Sequence, residues 1–340
     1  MTATTAEHAG VPEVLCVGEA MVAFAPVVGS LRTSDETRMF VAGAESNVAG
    51  ALAHLGRRVE WFGRVGDDPF GARVLDSLRA RGVDTARVVI DETRPTGIYF
   101  KDRMGAASTM YYYRAGSAAS GMEPSDASLL ALGERRLIHL TGITPALSPG
   151  CDALVERILA QSGDAHVSFD VNFRAKLWPA DVAGPRIRDL PRLANIVITG
   201  RDEAHTLWGT ETPQDVRELF PDVATIVVKD SDIGATEFRG GREVFVPALH
   251  AEVVEPIGAG DAFAAGYLAG RLEGRDAEFS LRLGHVLAAH ALSDISDSPA
   301  LPSVAALHEL AGRSDEAWCR SGASLTDNAY AATSSESGRR

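Results

Sequence analysis

Residues 257–266 read IGAGDAFAAG, in which two glycines and an alanine lead into an aspartate and good helix formers follow. Gly258 and Gly260 allow a tight turn and leave the backbone N–H groups unscreened by large side chains. A helix that begins here points its free N–H groups and the positive end of its dipole at the solvent. This is the arrangement of an anion site, most simply a phosphate site. The alternative is an ordinary helix cap by Asp261.

Asp261 is the unusual member of this stretch, because a carboxylate beside an anion site is repelled once phosphate binds. A general base that takes a proton from a hydroxyl attacking phosphate would justify that cost. Phosphoryl transfer has a loose transition state, so only modest basicity is needed. The residues alone therefore leave two interpretations open, a capped turn and a phosphoryl-transfer site.

Short apolar segments that end in polar residues alternate with helical segments along the chain. The apolar segments cover residues 14–17, 137–140, 167–170, 196–199 and 225–229. This alternation predicts an α/β fold with a mainly parallel sheet covered by helices on both faces. Because ligands bind at the carboxyl ends of such strands, the residues that follow them are candidate site residues.

Residues 96–114 interrupt this pattern with an aromatic, β-prone stretch split by Gly105, which predicts a hairpin. With residues 21–25 and 39–41 it can form a second small sheet, which we call the lid and place at about 20–42 and 96–115. A sheet this small has little core, so we expect it to cover the main domain or to pair with a second subunit. We expect residues 1–12 to be a disordered leader and the Ser-rich residues 314–340 a disordered tail.

The composition excludes several classes of protein. The chain has 340 residues and a net charge of −13, which argues against nucleic acid or an anionic membrane as a partner. Its three cysteines form no paired motif, so a reducing cytoplasm is expected, and no apolar stretch is long enough to span a membrane. The chain also lacks a P-loop, and the absence of G-x-G-x-x-G near the N-terminus disfavours a dehydrogenase.

Three motifs occur in a fixed order: GAESN at 43–47, VGDDPFG at 65–71 and GAGDAF at 258–263. The first two, taken alone, also fit simple helix starts, with Asp68 as cap and Pro69 in the first turn. Together the motifs resemble the ribokinase-like, or PfkB-type, carbohydrate kinases, over roughly residues 13–312. The resemblance implies one kinase domain over residues 13–313, with a three-layer α/β/α architecture and a β-sheet lid.

In that family the Gly-Ala-Gly backbone binds the transferring phosphate and the aspartate activates the sugar hydroxyl. These roles fall on Gly258, Ala259, Gly260 and Asp261, with ATP as phosphate donor and Mg²⁺ as cofactor. Ile257 stands where a threonine is frequent, so this site lacks one hydroxyl donor. Glu255, two residues earlier, is a candidate for the monovalent cation that some relatives use.

Two arginines bear on the identity of the molecule that accepts the phosphate. Arg114 follows three tyrosines, and Arg174 lies in the segment DVNFR. A sugar acid needs a cation, ideally a guanidinium that matches its carboxylate, although either arginine could simply be a surface residue. The surrounding segments resemble those of 2-keto-3-deoxygluconate kinases within the family. That resemblance implies a substrate site formed by Gly43, Asn47, Tyr99, Tyr112, Arg114, Arg174 and Asp261. Tyr113 is the alternative to Tyr112, although the spacing puts Tyr112 on the face of Arg114.

The nucleotide side rests on resemblance alone. The predicted nucleotide-binding residues are Lys229, Asp230, Gly234, Gly258, Gly260 and His285. His285 takes the place of a frequent asparagine, and a half-buried helix histidine is the alternative. Gly200 replaces the asparagine of an Asn-x-x-Glu motif, while Glu203 remains and is predicted to hold Mg²⁺ through water.

These features predict an enzyme that phosphorylates the terminal hydroxyl of a sugar acid, converting 2-keto-3-deoxygluconate to its 6-phosphate. The alternatives are a neutral-sugar kinase of the fructokinase or ribokinase type and a catalytically silent sugar-binding sensor. A homodimer formed through the lid is expected. The gluconate- and galactonate-derived epimers differ in one hydroxyl orientation, which the sequence does not distinguish.

Overall fold

A computed structural model of the chain describes residues 10–104, 107–251, 253–294 and 300–320. Most of the predicted leader (1–9) and of the predicted tail (321–340) lies outside these residues. The strands are β1 (Val14–Val17), β2 (Met21–Pro26), β3 (Thr37–Ala42), β4 (Val59–Phe62), β5 (Arg64–Gly66), β6 (Val89–Asp91), β7 (Ile98–Met104), β8 (Ala107–Tyr113), β9 (Leu137–Thr141), β10 (His166–Asp170), β11 (Ile196–Gly200), β12 (Thr225–Asp230), β13 (Gly234–Arg239) and β14 (Arg242–Pro247). The α-helices are α1 (Ala44–His54), α2 (Pro69–Ala80), α3 (Pro149–Gln161), α4 (Ala180–Asp189), α5 (Arg201–Trp208), α6 (Pro213–Leu219), α7 (Ala259–Leu272), α8 (Ala277–Leu292), α9 (Val304–Ala311) and α10 (Asp315–Arg320).

The central sheet has eight strands in the order β14-β13-β12-β11-β10-β9-β1-β4. The six strands from β12 to β4 are parallel, and β13 and β14 add an antiparallel hairpin at one edge. The α/β prediction is therefore confirmed. The carboxyl ends of β1, β9, β10, β11 and β12 meet at one edge, where the residues that follow them come together.

Helices cover both faces of the sheet, because side chains of a strand alternate between two buried environments. In β1, Val14 and Cys16 pack with α1, α7 and α8, while Leu15 and Val17 pack with α3 and α4 on the other face. The largest fully buried side chains include Trp61 and Tyr267. The predicted three-layer α/β/α arrangement is thus observed.

The lid strands form a separate four-stranded sheet in the order β3-β2-β7-β8. One face presents Ala23, Tyr99 and Tyr112. The other face packs against α2, where Phe24 meets Phe70 edge-on at 5.6 Å between ring centroids. The lid is therefore held to the main domain through its back face, which leaves the Tyr99 face directed away from α2.

The beginning of the predicted tail is ordered, which corrects the expectation of disorder from residue 314. Helix α10 carries Trp318, which is only 3% exposed. Its indole Nε1 donates to the Pro247 carbonyl at 3.0 Å, and the Arg282 guanidinium lies 5.2 Å from its ring centroid. One aromatic side chain thus anchors a segment whose polar composition suggested disorder. Among the described residues, no helix is both long enough and apolar enough to cross a membrane.

Candidate active site

Helix α7 begins in the GAGD stretch, and Gly258 rather than Asp261 is its N-cap. Gly258 has φ 86°, a left-handed conformation that glycine adopts without strain, and no side chain caps the first turn. Asp261 lies inside that turn, so the interpretation of Asp261 as the N-cap is wrong. Among the described residues, no side chain accepts from the first-turn N–H groups, which lie at the positive end of the helix dipole.

Asp261 is 7% exposed and is held by two asparagine amides from different parts of the chain. Nδ2 of Asn47, on α1, donates to Asp261 Oδ2 at 2.9 Å. Nδ2 of Asn172, after β10, donates to Oδ1 at 3.1 Å. Burial raises the pKa of Asp261, while the bond from Asn47 and the charge of Arg174 oppose the rise. The carboxyl group is thus oriented by two donors and made more basic by burial.

Lys229 supplies a positive charge beside the same turn. Its Nζ donates to the Asp170 carboxylate at 2.9 and 3.2 Å. A Cβ atom built on Gly260 would lie 3.5 Å from Nζ, so the ammonium group borders the α7 N-terminus. Burial disfavours the charged ammonium, but Asp170 and Glu203 outweigh this effect and raise the pKa of Lys229.

Glu203 is committed to local structure at the start of α5. Its Oε2 accepts the Gly200 N–H at 2.8 Å, and its Oε1 lies 3.8 Å from Nη1 of Arg174. Burial raises the pKa of Glu203. In the described parts of the chain, His, Cys, Asp and Glu side chains form no metal-binding group of three or more. Glu203 therefore stays a prediction as a metal ligand, acting through water rather than within a protein cage.

The lid face that carries Tyr99 brings together three of the predicted substrate-binding residues, Tyr99, Tyr112 and Arg114. The rings of Tyr99 and Tyr112 lie 5.3 Å apart, and the Arg114 guanidinium lies 5.6 Å from the Tyr112 centroid. Tyr113 is 65% exposed and meets Phe100 on the opposite face. Strand alternation thus places Tyr112, and not Tyr113, beside Arg114.

Arg114 is already paired, which the sequence analysis did not foresee. Its guanidinium contacts the Glu19 carboxylate, and Glu19 also accepts the Ser117 hydroxyl at 2.7 Å. Glu19 is 2% exposed and lies two residues after the end of β1. The rule that residues after parallel strands form the site could have identified it.

Arg174, in contrast, is accessible. Its side chain is 44% exposed, and its Nη1 donates to the adjacent Phe173 carbonyl at 3.0 Å. Lys176, two residues on, donates to the Met110 carbonyl of β8 at 2.7 Å. The loop that carries Arg174 therefore lies beside the lid hairpin.

Two of the predicted nucleotide-binding residues, His285 and Asp230, are engaged by other parts of the chain. His285 is 6% exposed, its Nε2 lies 3.2 Å from the Val246 carbonyl oxygen, and burial lowers its pKa to about 4. It packs between Phe263 and Trp318 inside the core, which speaks against a nucleotide contact. Asp230 accepts from Arg201 Nε at 2.8 Å at the end of β12.

The model of the pfkB family of carbohydrate kinases matches residues 11–303. The chain belongs to the PfkB family. It is therefore a carbohydrate kinase, as the ordered motifs predicted.

Two relatives, one from Thermoproteus tenax and one from Bacillus subtilis, are similar to this chain over most of their length. A 2-dehydro-3-deoxygluconokinase of Thermoproteus tenax is 34% identical, with 87% of this chain and 93% of the relative covered. A protein of the same name from Bacillus subtilis is 32% identical, with 84% and 91% covered. Among solved structures, a PfkB protein of Polaromonas sp. JS666 is 31% identical with a TM-score of 0.79, covering 87% of this chain and 99% of that chain. A 2-dehydro-3-deoxygluconokinase of Thermotoga maritima has the same fold, with a TM-score of 0.81, 24% identity and coverage of 90% and 100%.

Glu45 is a buried group of this PfkB kinase that the sequence analysis did not single out. Its Oε1 accepts from the hydroxyls of Thr141 and Thr144 at 2.8 and 2.7 Å, which joins α1 to the end of β9. Burial raises its pKa to about 7, despite these two bonds. A Cβ atom on Gly18 would collide with this carboxyl group, so the glycine makes room for it.

Glu45 should make the stability of the kinase depend on pH. Its pKa is higher in the folded state, so its contribution is present below pH 4.5 and is lost as the pH rises through about 7. The difference corresponds to about 3 kcal/mol. We expect Glu45→Gln, which keeps the acceptor for both threonines, to match the wild type at pH 5 and to exceed its unfolding free energy at pH 8. Urea denaturation at both pH values measures this. The exposed Glu36→Gln is the control, and a difference that does not change with pH would contradict the assignment.

Proposed function

We propose that this PfkB kinase transfers the γ-phosphoryl group of ATP to the terminal hydroxyl of a sugar acid, converting 2-keto-3-deoxygluconate to its 6-phosphate. The observation that carries the proposal is the Asp261 carboxyl group, held by two amides within an uncapped helix N-terminus. The names of the relatives from Thermoproteus tenax and Bacillus subtilis support the choice of sugar acid.

Asp261 accepts the proton of the acceptor hydroxyl through an oxygen of its carboxylate. As the new O–P bond forms and the bond to the leaving ADP breaks, the proton moves to Asp261. The asparagine amides fix the direction of the carboxylate, which makes the geometry of attack reproducible. Because burial raises the pKa of Asp261, the base is stronger than an exposed aspartate.

The residues around α7 fit a magnesium nucleotide. The first-turn N–H groups after Gly258 have no side-chain acceptor, and the Lys229 ammonium group lies alongside. Bound Mg²⁺·ATP would supply the phosphoryl group and neutralise part of its charge. The backbone N–H groups and Lys229 would hold the phosphoryl oxygens, and Glu203 would hold Mg²⁺ through water. A monovalent cation beside the buried Glu255 stays a prediction.

Arg114 and Arg174 are proposed to bind the carboxylate of the acceptor. Arg114 follows the lid strand β8, and the loop that carries the accessible Arg174 contacts that strand through Lys176. Tyr99 and Tyr112 form the apolar wall beside Arg114. A guanidinium group binds a carboxylate through paired hydrogen bonds, which favours a sugar acid over a neutral sugar.

A neutral-sugar kinase is the second candidate, because the Glu19 carboxylate already matches the charge of Arg114. A relative named probable fructokinase-7, from Arabidopsis thaliana, is 29% identical over 75% of this chain. If Glu19 keeps Arg114 neutralised when substrate binds, only Arg174 remains for a carboxylate.

A coupled assay of ADP production separates these candidates. The purified enzyme is given Mg²⁺·ATP with 2-keto-3-deoxygluconate, 2-keto-3-deoxygalactonate, fructose, ribose or no sugar. We expect kcat/KM for a ketodeoxy acid to exceed that for fructose by at least about 100-fold, the usual effect of an unmatched charge in a binding site. Equal or higher values for fructose would indicate a neutral-sugar kinase. If none of these compounds supports ADP production, the protein is a sugar-binding sensor.

A further inference from the structure

Asn172 has a backbone conformation that is costly for a residue with a side chain. Its φ is 39°, and only Ala131 and Ser231 share a positive φ among the described non-glycine residues. It is 4% exposed, so the strain is held within the packed interior beside Asp261. Asparagine tolerates this left-handed region better than most residues, but the conformation still needs support from its surroundings.

Asp170 provides that support. Its Oδ1 accepts the backbone N–H of Asn172 at 3.3 Å, which closes a short turn directly after β10. The same carboxylate accepts two bonds from Lys229 Nζ. The turn is therefore tied both to the strand that precedes it and to the ammonium group beside α7.

The side-chain amide of Asn172 can take only one orientation. Nδ2 faces Asp261 Oδ1 at 3.1 Å, and rotating the amide by half a turn would place oxygen against oxygen. In this orientation the buried Oδ1 of Asn172 has no hydrogen-bond partner within the described chain. A buried polar atom without a partner is costly, and such exceptions require an explanation. Asn172 thus combines two costs, a strained backbone and an unpaired Oδ1, with one N–H group directed at Asp261.

We infer that Asn172 is a positioning residue, which donates to the Asp261 carboxylate so that the base stays ionised and aimed at the acceptor hydroxyl. The inference rests on the proposed role of Asp261 as the base. Asn47 holds the other carboxylate oxygen, so the two amides together leave little freedom of rotation about the Cβ–Cγ bond. Loss of either donor favours the protonated, inactive form of the base.

Other charged groups also act on Asp261 and must be kept constant in a test. Asp170 on β10 and Glu45 on α1 raise its proton affinity, whereas Arg174 and Lys229 lower it. A substitution at Asn172 that preserves the turn leaves all four in place. The change in the pH profile can then be attributed to the lost amide.

Two variants keep the backbone and remove the donor. Asn172→Gly suits a positive φ, and Asn172→Asp keeps both the shape and a tolerated left-handed conformation. We expect kcat at pH 7 to fall about tenfold in Asn172→Gly and about 100-fold in Asn172→Asp, which adds a second negative charge. The acidic limb of the kcat profile should move up by about one pH unit in the first variant and further in the second. Nucleotide affinity should change less than about twofold, because the amide faces Asp261 and not the α7 N–H groups.

Asn195→Asp is the matched control for the change from amide to carboxylate. The Asn195 side chain accepts the Val167 N–H through its Oδ1, at 2.7 Å, and a carboxylate can do the same. Wild-type kcat and pH profile in a folded Asn172→Gly would overturn the inference, since the turn alone would then suffice. Asp261→Asn is measured in parallel. If it is inactive while Asn172→Gly is normal, only the role of Asn172 fails; if it stays active, the base assignment fails and the inference with it.

Discussion

Asp261→Asn should lower kcat by about 10³-fold while the protein stays folded and binds nucleotide. Asparagine has the same shape, but its amide does not accept the hydroxyl proton. Because burial raises the pKa of Asp261, the ionised carboxylate costs stability as the pH rises through its folded-state pKa. At pH 8 the variant loses this cost, but its new N–H₂ group faces one of the two asparagine donors, so its Tm should stay close to the wild-type value.

Initial rates with saturating sugar acid and ATP measure this effect, with nucleotide affinity and Tm as parallel readouts. Asp222→Asn is the control, because Asp222 is an exposed aspartate on the α6–β12 connection. Near-normal turnover in Asp261→Asn would remove Asp261 from the chemistry. A loss of both turnover and Tm would instead point to a structural role.

Substitution of Arg114 should weaken the binding of a sugar acid but not that of a neutral sugar. Arg114→Met is expected to raise KM for 2-keto-3-deoxygluconate about 100-fold, which corresponds to the loss of a charge-assisted bond. KM for fructose should stay within about twofold. The single substitution also leaves the buried Glu19 carboxylate without its cationic partner, which costs about 3 kcal/mol of stability.

The double variant Glu19→Gln with Arg114→Met removes both charges and isolates the effect on binding. It should recover most of the lost stability but keep the raised KM for the sugar acid. Steady-state kinetics and urea denaturation of the single and double variants test this, with the exposed lid residue Arg38→Met as control. Equal effects on the sugar acid and fructose would end the carboxylate assignment. A normal KM in the double variant would do the same.

Much of the architecture followed from local patterns. The short apolar segments, β1 among them, predicted a sheet covered on both faces, and side-chain alternation along the lid strand predicted Tyr112 beside Arg114. The glycines at 258 and 260 predicted an open helix start, and α7 begins there. These features depend on neighbouring residues, so they can be recognised without the rest of the chain.

The partners of charged and buried groups could not be predicted in this way. Asn47 and Asn172 lie 214 and 89 positions from Asp261, and neither spacing is a signal in itself. The pairing of Glu19 with Arg114 likewise depends on where the lid joins the body. The order of α10 depends on one tryptophan that finds a carbonyl on β14.

By itself, the sequence determined the α/β fold, the helix start after Gly258 and the kind of enzyme, because each is encoded in short motifs and regular spacing. Only the tertiary structure decided which oxygen of Asp261 each amide holds, and that Arg114 meets a carboxylate before any substrate arrives. The reason is that hydrogen bonding and burial act over a few ångströms in space, whereas the sequence records only separation along the chain.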